Sequence, residues 1–274
     1  MELPARLMLS LDADVPRLDI EFAIENQATD HRLRAHFPLP FAVAVSAADT
    51  PFHVTRRSVI GARRDPGAPE MELPTYPMRS FVDLSNGRAG MTLITDGLHE
   101  YEVIPGTTQE VALTLLRAVG WLSRDDLTTR TGHAGPGMET PGAQVLGAHR
   151  FRFSLYFHRG DWAEGNVWRA AEATLLPLVV AKGAGAADGR TTQLIELEPD
   201  CIQMTALIPR QDGYEIRLLN ASDQASEAGL RLEPVGTLER SNLAGNDLER
   251  IVPRDGRFGL GLRPWEIVTL RLTR

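Results

Sequence analysis

Apolar and polar residues alternate along most of this chain. In Leu18-Asp19-Ile20-Glu21-Phe22-Ala23-Ile24-Glu25 every second residue is apolar, and acidic residues fill the positions between, apart from the small Ala23. Period two puts the apolar set on one face of a strand and leaves the other face wet. The same pattern returns in Arg150-Phe151-Arg152-Phe153-Ser154-Leu155-Tyr156-Phe157-His158 and in Tyr214-Glu215-Ile216-Arg217-Leu218. Shorter pieces are Leu230-Arg231-Leu232 and Val268-Thr269-Leu270-Arg271-Leu272. Turn signals punctuate them: Ser85-Asn86-Gly87, Asp96-Gly97, Pro105-Gly106, Gln211-Asp212-Gly213 and Arg254-Asp255-Gly256. Many short alternating strands between such turns predict an all-β, antiparallel sandwich or barrel rather than a βαβ fold.

One helix interrupts the pattern. Asp161-Trp162-Ala163-Glu164 reads as an acidic capping box, Trp168, Ala171 and Leu175 follow at helical spacing, and Pro177 stops the run. Residues 111–119 carry both signals; the alternation of Val111, Leu113 and Leu115 favours a strand. Residues 124–144 are rich in Gly, Thr, Pro and Asp, and a loop that long is often functional. Residues 181–190 hold mostly Gly and Ala, which bury little area, so a linker is expected there. The domains predicted are 1–182 and 191–274.

Composition narrows the function. Hydrophobic residues make up 43% of the 274, enough for a packed core. With 29 basic and 36 acidic side chains the formal charge is −7, which argues against nucleic acid as partner. The basic residues are Arg except for Lys182. A lone cysteine, Cys201, excludes an internal disulfide or a multi-cysteine metal site. No apolar run reaches the ~20 residues that span a bilayer, so no membrane role is expected. The first residues show no cationic and then apolar leader, which fits the cytoplasm. They fit a piece excised from a longer protein equally well.

Local catalytic signatures are few. None of the seven histidines lies in a His-x-Asp, His-x-His or His-Glu-x-x-His motif. His149 and His158 bracket a strand and are expected at its rim. Asp125-Asp126 and His99-Glu100 are local carboxylate candidates, read mainly as a solvated loop and a strand end. There is no Gly-x-Ser-x-Gly elbow. Tyr76, Tyr101, Trp121, Tyr156 and Trp162 offer flat faces for sugar rings, or simply core packing.

A resemblance emerges at Leu73-Pro74-Thr75-Tyr76-Pro77-Met78-Arg79-Ser80-Phe81-Val82, followed by Gly90-Met91-Thr92-Leu93-Ile94-Thr95-Asp96-Gly97-Leu98-His99-Glu100-Tyr101-Glu102-Val103. Asp30-His31-Arg32-Leu33-Arg34, Arg117-Ala118-Val119-Gly120-Trp121-Leu122-Ser123, Thr140-Pro141-Gly142-Ala143-Gln144-Val145-Leu146-Gly147 and Arg263-Pro264-Trp265-Glu266-Ile267-Val268-Thr269-Leu270 continue it in order. The chain resembles the C-terminal β-sandwich region of α-mannosidases of glycoside hydrolase family 38, bacterial branch. That resemblance implies a large antiparallel supersandwich of the galactose-mutarotase kind, then a smaller β-sandwich, with one or two short helices.

It also implies retaining hydrolysis of α-mannosides with zinc. The family's zinc ligands and nucleophile lie in an N-terminal catalytic domain that this chain does not contain, so no catalytic residue and no metal ligand carries over. The chain alone is expected to be inactive. Its implied partners are that catalytic domain and an α-mannoside carbohydrate, and a homo-oligomer is compatible with it. By motif match the candidates for the rim of the carbohydrate cleft are Asp30, His31, Arg32, Tyr76, Arg79, His99, Glu100, Trp121, Ser123 and Arg124. Asp30 with Arg32 or Arg34 is equally readable as a buried ion pair that fixes a loop. The alternatives are a free-standing carbohydrate-binding supersandwich, a mutarotase-like enzyme and a purely structural role.

Overall fold

A computed structural model describes residues 3–180, 193–233, 236–246 and 249–273. The chain divides into two compact units, Met1–Leu176 and Pro177–Arg274. The linker expected at residues 181–190 lies outside the described residues.

The first unit runs β1 (Ala5–Leu11), β2 (Arg17–Asn26), β3 (Arg32–Pro38), β4 (Val45–Thr50), β5 (His53–Ser58), β6 (Thr75–Pro77), β7 (Phe81–Ser85), β8 (Ala89–Thr95), β9 (Glu100–Ile104), β10 (Glu110–Arg117), β11 (Gly147–Arg159) and helix α1 (Val167–Leu175). All the pairings are antiparallel. They build a seven-stranded sheet, β1-β2-β11-β8-β7-β4-β5, and a four-stranded sheet, β3-β10-β9-β6.

The period-two pattern determines which residues meet. Leu18, Ile20 and Phe22 of β2 stand opposite Leu155, Phe153 and Phe151 of β11. With Leu33, Ala35 and Phe37 of β3 and Val111, Leu113 and Leu115 of β10 they belong to one core between the sheets. The alternating set 111–115 is therefore a strand, as its periodicity predicts. A bulge between Thr114 and Leu116 shifts the register by one, setting Leu116 opposite Leu33 and Arg117 opposite Arg32 on the wet face.

Helix α1 covers part of the outer face of the larger sheet, where Trp168 packs edge-on against Phe81, with ring centroids 6.1 Å apart. The capping box forms: Asp161 Oδ1 accepts the amides of Ala163 and Glu164, and the Glu164 carboxylate accepts the Asp161 amide. The turn it caps stops at Asn166, which is left-handed at φ 50, and the helix proper begins one residue later. Gly165 is required there, because a Cβ would collide with the His158 ring.

The second unit contains β12 (Ile195–Glu198), β13 (Ile202–Arg210), β14 (Gly213–Asn220), β15 (Ser226–Leu232), β16 (Thr237–Ser241), β17 (Glu249–Ile251), β18 (Phe258–Leu262) and β19 (Ile267–Thr273). A three-stranded sheet, β12-β15-β18, and a five-stranded sheet, β13-β14-β19-β16-β17, enclose a core of Ile216, Leu218, Leu230, Phe258 and Leu270. Cys201 is a free thiol against this core. Among the described residues no helix is long and apolar enough to cross a membrane.

Candidate functional site

The motif residues gather where β3 starts and β10 ends. Arg32 pairs with Arg117, and the Ala118 amide donates to the His31 carbonyl at 2.8 Å. Asp30-His31-Arg32 therefore runs beside residues 117–121. Leu33, Ala35 and Phe37 point into the core, so Arg32, Arg34 and His36 share the outer face of the four-stranded sheet. Glu100 and Glu102 share it from β9, and Thr114 from β10.

These groups satisfy one another. Arg32 Nη2 lies 2.7 Å from Glu100 Oε1, and the Thr114 hydroxyl donates to that oxygen at 2.7 Å while accepting from Arg32 Nε and Nη2. Arg117 reaches the other Glu100 oxygen at 3.4 Å. Arg34 crosses β10 to Glu102, at 2.6 Å, on a sheet position where Ala112 is small and buried. His36 Nδ1 lies 2.9 Å from Glu110. The alternative of an Asp30 ion pair with Arg32 or Arg34 is not what forms: both arginines pair with glutamates of β9, which strand pairing places on the same face.

Asp30 serves the adjoining loop. It is left-handed at φ 52, and its amide donates to Gln144 Oε1 at 2.8 Å while its Oδ1 accepts Gln144 Nε2 at 3.0 Å. A Cβ on Gly120 would sit 2.8 Å from that Oδ1 and 3.0 Å from Gln144 Nε2, so glycine is what lets the clasp close. Beyond it the loop folds back on itself: Trp121 bridges Glu139, and Leu122 donates to Met138. Trp121 is 43% exposed. Buried Ser123 accepts the amides of Ala134 and Gly135 on its hydroxyl, which pins the far side of the loop. Arg124 forms an exposed pair with Asp126.

The remaining candidates lie elsewhere. Tyr76 is half-buried against the core, tilted on Tyr101, with the Arg57 guanidinium 5.1 Å over its ring. Arg79 lies on the outer face of the larger sheet, 2.9 Å from the buried Asp49 and 5.9 Å from the Trp168 ring. His99 is exposed, with Nδ1 3.2 Å from the Met78 carbonyl. His31 is half-buried, and neither ring nitrogen has a protein hydrogen-bond partner.

Sequence reasoning named Arg32 and Glu100 but not Thr114, Glu102 or Gln144, which complete the network and the clasp. The signal was period two itself: Glu100 and Glu102, like Arg32 and Arg34, had to share a face. One histidine reverses its expectation. His158 is not a rim residue; its side chain is 2% exposed and lies 2.7 Å from Asp83, itself buried.

This face offers guanidinium, carboxylate and hydroxyl groups, and the loop that follows β10 carries an exposed indole. Its carboxylates Glu100, Glu102 and Glu110 are paired with arginines or histidine. Among the described residues no group of three or more His, Cys, Asp or Glu could hold a metal ion. A groove of about 970 Å³ opens in the second unit among Glu198, Arg240, Arg250, Arg254, Arg257 and Gly259, and no candidate lines it.

Two family models match this chain: the glycosyl hydrolases family 38 C-terminal domain over residues 6–127, and the glycosyl hydrolases family 38 C-terminal beta sandwich domain over residues 202–270. The chain belongs to glycoside hydrolase family 38, as a C-terminal region. One model falls in each compact unit, and the first ends inside the loop that carries Trp121 and Ser123. A proposed mannosylglycerate hydrolase of Halalkalibacterium halodurans is 29% identical over 98% of this chain and 28% of its own length. An α-mannosidase of Enterococcus faecalis V583 is 25% identical with a TM-score of 0.74, over 98% of this chain and 28% of that one. A family 38 protein from Enterococcus faecalis is likewise 25% identical, with a TM-score of 0.75 and coverage of 98% and 29%. This family 38 region thus spans little more than a quarter of the length of those relatives.

Proposed function

We propose that this chain is the non-catalytic C-terminal β-sandwich portion of an α-mannosidase-like enzyme, packing on the catalytic domain and shaping its carbohydrate cleft. The observation that carries the reading is the asymmetry of coverage: relatives match 98% of this chain with only 28% of their own length. In this reading the family's zinc and nucleophile belong to the catalytic domain. The Arg32–Glu100–Thr114 face and the Trp121 loop contribute hydrogen bonds and an apolar face at the rim of the cleft. Planar guanidinium and carboxylate groups suit sugar hydroxyls, and an exposed indole suits the face of a pyranose ring.

The test is hydrolysis of an aryl α-mannoside by the purified chain with zinc present. No turnover above the chain-free control is expected, and enzymic turnover would sink the reading. Calorimetric titration with mannose oligosaccharides then separates a free-standing binding module from a region that meets sugar only beside its catalytic domain. The second predicts no saturable heat from the isolated chain.

A further inference from the structure

The two sheets of the first unit differ in width, and the difference leaves apolar surface bare. Phe37 of β3 meets Phe153 of β11 at 5.9 Å between rings, Tyr101 of β9 meets Ser46 of β4 at 3.0 Å, and Arg57 of β5 stacks over Tyr76 of β6. The four-stranded sheet therefore lies opposite the stretch from β11 to β5, and β2 and β1 extend past its β3 edge. Along β2, Ile20 is still buried, while Leu18 and Phe22 are half-buried. On β1, Leu7, Leu9 and Leu11 occupy the core-side face, opposite Phe22, Ile20 and Leu18, yet are 59%, 56% and 72% exposed. Phe151, stacked on Phe22, continues the stripe.

Among the described residues no strand pairs with the outer edge of β1, and over seven residues that strand carries one charge, Arg6, with no proline and no bulge. Sheets that end in water normally guard such an edge with charge, bulges or short strands. Here neither the edge nor the leucine face is guarded.

We propose that Leu7, Leu9 and Leu11, with Phe22 and Phe151, form the docking stripe for the catalytic region of a family 38 enzyme. This inference rests on the reading above of a non-catalytic region seated on a catalytic one, and it names the surface used. Two strand widths and seven residues make a footprint about 10 Å by about 24 Å, the size of one amphipathic helix of about four turns. The relatives carry over two-thirds of their length outside the matched part, so their polypeptide has ample surface to fill it. A second copy added edge to edge would pair β1 but leave the leucine face bare, which favours the catalytic region as occupant.

The test replaces the matching C-terminal part of the Enterococcus faecalis α-mannosidase with this chain and compares Leu7→Ser/Leu9→Ser/Leu11→Ser in that chimera and in the isolated chain. In the chimera the triple substitution is expected to lower the melting temperature by about 5 °C or more and to reduce aryl α-mannoside turnover. In the isolated chain, where the leucines already face water, the shift is expected to stay within about 2 °C. An equally small shift in both backgrounds overturns the docking stripe and leaves the proposed function standing. A wild-type chimera that neither folds nor cleaves overturns the proposed function, and the stripe with it. An isolated chain that sediments as a dimer, and that the triple substitution splits, assigns the face to a second copy and overturns the inference.

Discussion

Asp83→Asn is expected to destabilise the first unit in a pH-dependent way. Asp83 is 1% exposed and accepts from His158 Nε2 at 2.7 Å, Thr92 Oγ1 at 2.8 Å and Ser85 Oγ at 2.8 Å. The His158 ring is stacked on Tyr156 and held by Gly90 and Gly165, where any Cβ would collide with it; its other nitrogen meets the Arg159 carbonyl at 3.1 Å. Burial alone would push the imidazolium down. The hydrogen bond and charge of Asp83, with smaller help from the Arg159 carbonyl and Asp161, hold it above its ordinary value. A histidine raised in the folded state stabilises fully below the unfolded value of about 6.5, and that contribution fades as pH rises through the folded value. Wild-type stability from this group is therefore greatest near pH 6 and declines toward pH 9.

Without the carboxylate the buried imidazole either keeps an unpaired charge or gives up its proton, and in both cases the pair's contribution is lost. Breaking such a pair costs about 3 kcal/mol or more, which in a unit of this size is a fall in melting temperature of about 6–12 °C at pH 6. As pH rises through the folded value of His158 the wild type loses this contribution and the gap narrows. The assay is thermal unfolding by circular dichroism from pH 5.5 to 9, for wild type, Asp83→Asn and His158→Gln. Parallel profiles for wild type and His158→Gln would refute the reasoning. A variant at position 83 melting within about 2 °C of wild type at pH 6 would refute it too.

Gly120→Ala puts a methyl group against Asp30 Oδ1 and Gln144 Nε2. A loss of about 1–3 kcal/mol is expected, with faster amide exchange confined to residues 119–146, and unchanged exchange there would contradict the clasp. Tyr101→Phe removes a buried hydroxyl that meets Ser46 Oγ at 3.0 Å and accepts from Arg57 at 3.3 Å. Urea unfolding is expected to report a loss of about 1–2 kcal/mol with an unchanged m-value. Burial pushes the Glu172 carboxyl up, against the pull of Trp168 and Arg79. An acid raised in the folded state disfavours folding above its unfolded value, so Glu172→Gln is expected to melt higher than wild type at pH 7 but not at pH 4. An equal difference at both would point to packing instead.

Much of this architecture was legible in the chain. Strands β2, β11, β14 and β19 follow from period two, because alternation has one burial solution on a sheet with a core on one side. The capping box at Asp161 and Glu164 forms as the residues predict. Strand β1 was not legible: its run Ala5-Arg6-Leu7-Met8-Leu9-Ser10-Leu11 alternates only weakly, and all of it is exposed. Its place is determined by pairing with β2, a contact between segments that no local pattern encodes.

The candidate site divides along the same line. Residue types and face assignments came from the sequence, which placed Arg32, Glu100 and Trp121 among the motifs. Which charge meets which was decided by strand order. Setting β10 between β3 and β9 gave Arg32 to Glu100 and Arg34 to Glu102, and left Asp30 to Gln144. His158, read from its place at a strand end, became a buried ion-pair partner because β7, β8 and the turn before α1 close over it. Composition and period determine which side chains must leave water; only the tertiary structure determines the partners a polar group finds once it has left.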